Sequence, residues 1–350
     1  MQRSEGSSNV VRKKRKYSPS PVLWPLAEYY VSQDAYSYWQ GSPLEFRHMI
    51  KDYMVRHINQ AVEVFVEDLP FLKISLPAKL GRGRSCELEF DDNLQEFLRS
   101  RKIVKVTVWN IEGFKGSLAP LSSKQIAHRT GREHDGGGFE VNLAYTFTQS
   151  ALTTFSHEIG HTYFYDICKD PPECLISNSI LETKKWFRQF EGMAFDLGRE
   201  VLLPRKSFTR YVMDKGKHPS LSSFLEMHLE LKISTDVLAQ RLMKDLNLWR
   251  ACVFWGRTSY RDTKILKKGL HGPHIIVRDR DKRKGGFATL NIKKELSDDN
   301  SSLRKTILNH AKEDEVERYE IDYHSRKCKL EIKSRKLSEK EKWFIALFYL

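Results

Sequence analysis

The chain has 350 residues, 40% hydrophobic and 30% charged, so it can form two or three domains with a real core, and wholesale disorder is excluded. Its 59 Lys and Arg against 45 Asp and Glu leave a net charge of +14, which favours an anionic partner such as nucleic acid or an acidic protein surface. The longest apolar run, 343–350, is far shorter than the ~20 residues that span a bilayer, and no apolar signal segment follows the N-terminus. We therefore expect a soluble cytoplasmic protein that does not contact the membrane.

The five cysteines fit a reducing compartment. They are odd in number and scattered along the chain, which argues against a disulfide framework. Cys168 and Cys174 are six positions apart, wider than the usual gap of about two to four residues in a zinc knuckle. We therefore do not expect them to bind metal.

The first half of the chain begins with a polar tail and continues with mixed elements. Residues 1–22 contain a basic run and many small polar residues, which predicts a disordered basic tail. Apolar residues at three- and four-residue steps predict a helix from Pro43 to about Val62. Closely spaced β-branched residues at 103–111 and alternation at 139–145 predict two strands.

The middle of the chain is predicted to be helical. A helix is expected over 150–164, and a second one from about 181 to 203, where Pro204 ends it. Residues 205–250 continue with helical periodicity. We place a first domain at 23–204 and a helical segment at 205–255.

The C-terminal part has a different pattern. Alternation predicts two hairpins, and a helix at 303–312 lies between them. Ser338 with Glu341 three residues later is a capping-box pattern and predicts a short final helix. Residues 256–350 are therefore predicted to form a separate α+β domain, and the whole chain is predicted to be α+β. The four strands of these hairpins are expected at 275–277, 287–292, 316–323 and 328–332.

The pentapeptide at 157–161, His-Glu-Ile-Gly-His, carries the clearest chemical signal. Residues four apart lie one turn above each other on a helix, so His157 and His161 can bind one cation at the ~2.0–2.1 Å that zinc requires. Glu158 points beside such a cation, where a general base can accept a proton from water. The pattern predicts a zinc centre with Glu158 as the catalytic base.

A catalytic zinc needs a third protein ligand. The next predicted helix offers three carboxylates, Glu191, Asp196 and Glu200, and helical geometry alone does not choose among them. Glu200 stands beside Arg199 and is expected to be a solvated helix residue. Small residues around Glu191 would allow this helix to pack closely against the histidine helix, which weakly favours Glu191. These small residues are Gly192, Ala194 and Gly198.

The stretch 151–161 resembles the zinc helix of the ImmA/IrrE family of metallopeptidases. The stretch 191–204 is similar to the family's second signature, and 230–247 to its helical segment after the protease core. This resemblance implies a zincin-like metallopeptidase fold for 23–204, Zn²⁺ as cofactor and Glu191 as the third ligand, a gluzincin-like set. Phe195 stands where the family usually has Asn. The matching residues of the second signature are Glu191, Ala194, Leu197, Gly198, Leu202, Leu203 and Pro204.

The resemblance also implies an activity. Members of the family typically cleave a DNA-binding repressor, so we predict a zinc-dependent endopeptidase that acts on a regulatory protein. A second donor to the developing oxyanion is expected beside the zinc. The candidates for this donor are Tyr163, Tyr165, His128 and His134.

A nucleic-acid-binding regulator is the alternative. In that case the metal site would be structural or vestigial, and the positive charge would contact phosphates. The basic turn at 279–286 and the helical segment after 204 favour this alternative. The cations of that segment are Arg205, Lys206, Arg210, Lys215 and Lys217.

Overall fold

The computed structural model describes most of the chain. The basic tail at 1–22, both Cys168 and Cys174, the strand expected at 287–292 and the turn at 279–286 lie outside the described residues. The described ranges are 23–32, 35, 41–130, 136–167, 184–215, 219–259, 270–271, 276–278, 301–309, 314–323, 326–338 and 341–349.

Two helices open the described chain, α1 (Trp24–Tyr30) and α2 (Pro43–Glu63). The N-terminus of α2 forms a capping box, since the Ser42 hydroxyl accepts the Glu45 N–H and the Glu45 carboxylate accepts the Ser42 N–H. The predicted apolar face of α2 is fully buried, which confirms the helix expected there. Its buried residues include Phe46, Ile50, Met54, Ile58 and Val62.

A four-stranded sheet follows, with the strand order β1-β2-β4-β3. The strands β2 and β4 run parallel to each other, and the other two pairs are antiparallel. Both predicted strands are confirmed as β2 and β4. Pro120 lies in β3, an edge strand, where its missing N–H interrupts no ladder. The elements are β1 (Ser85–Glu87), α3 (Asp92–Ser100), β2 (Ile103–Trp109), β3 (Gly116–Leu121), α4 (Ser123–Thr130) and β4 (Gly138–Ala144).

Helices dominate the described residues between 148 and 245, as predicted. The first of them is the helix that carries the two histidines, and a short 3-10 turn at Tyr163–Tyr165 follows it directly. The last helix continues as one π-helical segment at Gln240–Asp245. The α-helices are α5 (Thr148–Thr162), α6 (Lys184–Leu202), α7 (Arg205–Lys215), α8 (Leu221–Glu230) and α9 (Thr235–Ala239).

The C-terminal part forms an antiparallel sheet with the order β6-β5-β10-β9-β8, in which β7 also pairs with β5. Residue 256, the expected domain boundary, lies inside β5. The predicted strands at 275–277, 316–323 and 328–332 correspond to β7, β8 and β9. The elements are β5 (Ala251–Ser259), β6 (Leu270–His271), β7 (Ile276–Arg278), α10 (Ser302–Asn309), β8 (Val316–Tyr323), β9 (Arg326–Ser338) and β10 (Glu341–Tyr349).

The short final helix predicted from Ser338 is wrong, because residues 341–349 form strand β10. Residues 344–348 of this strand are buried on both faces, and a strand of that kind is a nearly continuous apolar run without a polar side. Phe344 and Phe348 pack in one hydrophobic cluster, while Ile345 and Leu347 pack in the other. The capping-box pattern is local, and pairing with β5 and β9 overrides it.

The two hydrophobic clusters lie on opposite faces of this C-terminal sheet. The larger cluster extends from Leu23 through the helices and includes Ile345 and Leu347 of β10. The smaller one joins β5, β9 and β10 to Leu303 and Ile307 of α10. The chain is therefore α+β, as predicted. No helix in the described ranges is long and apolar enough to cross a membrane.

A buried carboxylate ties the C-terminal sheet to the helices. Glu331 of β9 is fully buried and accepts the N–H of Leu221, the first residue of α8, at 2.5 Å. Its other oxygen accepts from Arg318 Nε and from the Tyr349 hydroxyl, both at 2.8 Å. The negative charge also stabilises the positive end of the α8 dipole.

Candidate metal centre

Close packing of α5 against α6 brings the candidate ligands together. A Cβ added at Gly160 would lie 2.3 Å from the carbonyl oxygen of Ala194, and one at Gly198 would lie 2.4 Å from that of Ser156. Only glycine fits at these two positions without moving a backbone. The predicted role of small residues is thus confirmed at Gly198, whereas Gly192 faces open space and takes no part.

Gly198→Ala should therefore destabilise the protein, and Gly192→Ala should not. Overpacking of a tight contact costs about 1–3 kcal/mol, and here the obstructing atoms are backbone. At Gly192 the same change should stabilise α6 by up to about 1 kcal/mol, since alanine is the better helix former. Urea unfolding of both variants measures the difference. Equal effects would contradict the close contact of α5 with α6.

Three nitrogen and oxygen donors converge between these helices. His157 Nε2 lies 3.0 Å from one Glu191 carboxylate oxygen, and His161 Nε2 lies 3.3 Å from the other. The two histidine Nε2 atoms are 3.1 Å apart. Bonds of ~2.1 Å at tetrahedral angles would separate such donors by about 3.4 Å. The residues present therefore fit a zinc ion, and the donor set of two imidazoles and a carboxylate is one that zinc prefers.

Glu191 and Glu158 differ in their ionisation. Hydrogen bonds with His157 and His161 lower the pKa of the Glu191 carboxyl to about 2, so it is ionised at neutral pH. Burial raises the pKa of Glu158 to about 7, and the nearby Glu191 carboxylate acts in the same direction. His157 and the Leu118 N–H oppose that rise. Glu158 is thus the carboxyl whose protonation changes near neutral pH.

A cleft of about 640 Å³ opens beside this group of residues. The start of β3 forms one wall, and Thr154, Glu158 and the ligand histidines contribute the floor. The other wall is largely aromatic. The aromatic lining residues are Phe164, Tyr165, Phe190 and Phe195.

The other two candidate carboxylates bind cations of the protein instead. Asp196 accepts from Lys51 Nζ at 3.0 Å and also pairs with Arg199. Arg199 in turn binds Asp245 at 2.8 Å. Only Glu191 of the three candidates lies within reach of both histidines.

The expectation that Glu200 is solvated is wrong. Its side chain is buried, with Arg241 Nη1 at 2.6 Å from one oxygen and Arg241 Nη2 donating to the other at 2.7 Å. Asn59 Nδ2 adds a hydrogen bond at 2.9 Å. The partners come from α2 and from the π-helical segment, far away in sequence. Although burial raises the pKa of Glu200, Arg241 and Asn59 lower it more, so the net shift is downward.

The four candidate oxyanion donors have different positions. Tyr165 lines the cleft and packs edge-to-face on Phe139. Tyr163 is fully buried and does not line the cleft. The Arg101 guanidinium lies over its ring, 3.7 Å from the ring centre. His128 is exposed on α4, away from the cleft lining, and His134 lies outside the described residues. Of the three described candidates, Tyr165 is the one that lines the cleft.

The basic residues of the helical segment are partly engaged in ion pairs. Arg205 lies 3.5 Å from Glu200, and Lys215 lies 2.8 Å from Glu230. Lys217 lies outside the described residues. These pairs reduce the positive charge that α7 offers to an anionic partner.

Comparison with known proteins adds little to this geometry. No protein-family model matches the chain, and a comparison with curated protein sequences finds no match. Among solved structures, a Mycobacterium tuberculosis transcriptional regulator is similar over 95% of this chain and 81% of that chain, with a TM-score of 0.45 and 10% identity. At that level the likeness indicates neither the family nor the activity of this chain.

Proposed function

We propose that this protein is a zinc-dependent endopeptidase. The observation that carries the proposal is the convergence of His157, His161 and Glu191 at the floor of a cleft, with a buried glutamate beside them. Three protein ligands leave a fourth position of a tetrahedral ion for water or substrate, which is the arrangement of catalytic zinc sites. When bound there, zinc would supply a Lewis acid that lowers the pKa of water and polarises a carbonyl group.

Glu158 would act as the general base and acid. Its carboxylate lines the cleft and would accept a proton from the attacking water and transfer it to the leaving amine. Burial of the Glu158 carboxyl raises its pKa, which favours a group that accepts a proton and donates it again. The Leu118 N–H contact orients the carboxylate toward the wall formed by β3.

The substrate would bind along β3. This strand is an edge of the four-stranded sheet and forms one wall of the cleft, so an extended peptide can pair with its outer side. Tyr165, which also lines the cleft, would donate a hydrogen bond to the developing oxyanion. We propose a regulatory protein such as a DNA-binding repressor as the substrate, and the support for it is the resemblance to the ImmA/IrrE family at 151–161 and 191–204.

A peptide library tests the activity without knowledge of the natural substrate. The zinc-loaded protein is incubated with a proteome-derived peptide mixture, and new N-termini are identified by mass spectrometry. We expect new N-termini that disappear when a chelator removes the metal. If the loaded protein creates none, and instead binds duplex DNA with a steep salt dependence, the nucleic-acid-binding alternative replaces the proposal.

A further inference from the structure

We propose that Phe195 is a positioning residue for the metal centre, whose ring holds the His157 imidazole in the orientation that binds the ion. The inference rests on the proposed metal centre and concerns how one of its ligands is oriented. Phe195 follows Glu191 by one helical turn of α6, so the same face of this helix presents a ligand and an aromatic ring to His157.

The contact between the two rings is close and nearly parallel. Their centroids are 3.9 Å apart and their planes are inclined by 27°. The other ligand histidine meets His157 edge-on, with centroids 4.6 Å apart and planes inclined by 78°. One flat face of His157 is therefore covered by Phe195, which opposes rotation of the imidazole out of its plane.

The second nitrogen of His157 explains why such a contact is needed. A metal-binding histidine normally donates its other ring N–H to a carboxylate or carbonyl, and this bond fixes the ring. His157 directs Nε2 toward Glu191, while its Nδ1 is buried and has no hydrogen-bond partner among the residues that the structure describes. Among the described residues, no hydrogen bond to Nδ1 fixes the His157 ring, and we infer that stacking on Phe195 orients it instead.

The exposure of Phe195 makes its role separable from core packing. The side chain is 45% exposed and lines the cleft, whereas its neighbours Ala194 and Leu197 on α6 are fully buried. A residue with this exposure contributes less to the hydrophobic core than a buried phenylalanine. Truncation at 195 should consequently change metal affinity much more than the stability of the metal-free protein.

The test is zinc affinity, measured by competition with a chromophoric chelator, for Phe195→Ala, Phe195→Leu and Phe195→Tyr. Loss of a partner that orients a ligand typically weakens metal binding ten- to a hundredfold, so we expect a rise in Kd of about tenfold or more for Phe195→Ala. Leucine keeps most of the volume without a flat ring and should also raise Kd. Tyrosine keeps the ring and should restore the wild-type Kd.

Two controls separate orientation from stability. Met213→Ala removes a similarly exposed apolar side chain, 59% exposed on α7, and should leave Kd unchanged. Thermal unfolding of each metal-free variant shows whether it is folded at the assay temperature. The d–d absorption spectrum of the cobalt-substituted protein reports ligand geometry, and it should change for Phe195→Ala and stay as in the wild type for Phe195→Tyr.

The outcomes distinguish this inference from the proposed function. A wild-type protein that binds no zinc would overturn the metal centre and the role of Phe195 with it. A wild type that binds zinc, with an unchanged Kd in both Phe195→Ala and Phe195→Leu, would leave the centre standing and overturn the inference alone. A Kd raised in Phe195→Ala but normal in Phe195→Leu would also overturn it, because volume and not ring stacking would then be the cause.

Discussion

Glu200→Ala should lower the free energy of unfolding by about 3–5 kcal/mol, because it leaves the Arg241 guanidinium buried without its carboxylate partner. Arg241 is fully buried, so water cannot replace the lost partner. Asp245 is no substitute, since it lies 3.9 Å from Arg241 and is already bound to Arg199. A typical domain is stable by only about 5–15 kcal/mol, so the variant should be close to unfolding at ambient temperature.

Glu230→Ala is the matched control. Glu230 also pairs with a cation, Lys215 at 2.8 Å, but both side chains are about half exposed. Exposed pairs contribute about 0–1 kcal/mol, so urea unfolding should distinguish the two variants clearly. Equal losses would contradict the buried ion pair of Glu200 with Arg241.

The pH dependence of stability gives the same contact a second signature. The folded-state pKa of Glu200 lies below its unfolded value, so its contribution is complete above an unfolded pKa of about 4.3 and is lost as the pH falls through the folded pKa. In Glu200→Gln the side chain has no ionisable group, so this position contributes no pH dependence to the stability of the variant. The difference in unfolding free energy between wild type and this variant should therefore shrink toward acid pH. If the difference in unfolding free energy grew below pH ~4, Glu200 would not be stabilised in its ionised form by Arg241.

Glu158→Gln should reduce peptide cleavage by about 10²–10⁴-fold, the usual contribution of a general acid–base group. Glutamine has almost the same shape but cannot accept the proton of the water. Glu158 is not one of the three donors that converge at the metal site, so the zinc content of the variant should stay at the wild-type level. The measurement is the rate of appearance of new N-termini from the peptide library.

Glu112→Gln serves as the control for that assay, since Glu112 is a strongly exposed carboxylate paired with Arg82. It should cleave at the wild-type rate. A Glu158→Gln variant that retains both zinc and full cleavage would remove Glu158 from the role of base. A variant that loses zinc as well would assign Glu158 to metal binding.

The sequence predicted what depends on local pattern. The spacing of His157 and His161 on a helix fixes their common face before any tertiary contact is known, and the small residues near Glu191 indicated close helix packing. The apolar period of 43–62 and the alternation of 139–145 are likewise local, and both elements form as expected. These features share one property, namely that each is decided within a few turns or one strand.

The features that the sequence did not predict depend on distant partners. The burial of Glu200 is stabilised by Arg241 and Asn59, which lie 41 and 141 positions away, and nothing beside Glu200 indicates them. The apolar run of β10 fits either a short helix or a buried strand. Its pairing with β5, which begins 90 positions earlier, makes it a strand. The spacing of four places Glu191 and Phe195 on one face of α6, but the stacking of Phe195 on His157 depends on how α6 packs against α5.

If His157, His161 and Glu191 form one metal centre, the zinc content of the protein depends on Glu191 and not on Asp196. Elemental analysis is made on purified wild type, Glu191→Ala and Asp196→Asn after zinc loading and removal of free metal. We expect about one equivalent of zinc in the wild type and in Asp196→Asn, and a sharp loss in Glu191→Ala. No zinc in a folded wild type would contradict the metal centre altogether, and zinc retained by Glu191→Ala but lost from Asp196→Asn would contradict the assignment of the third ligand.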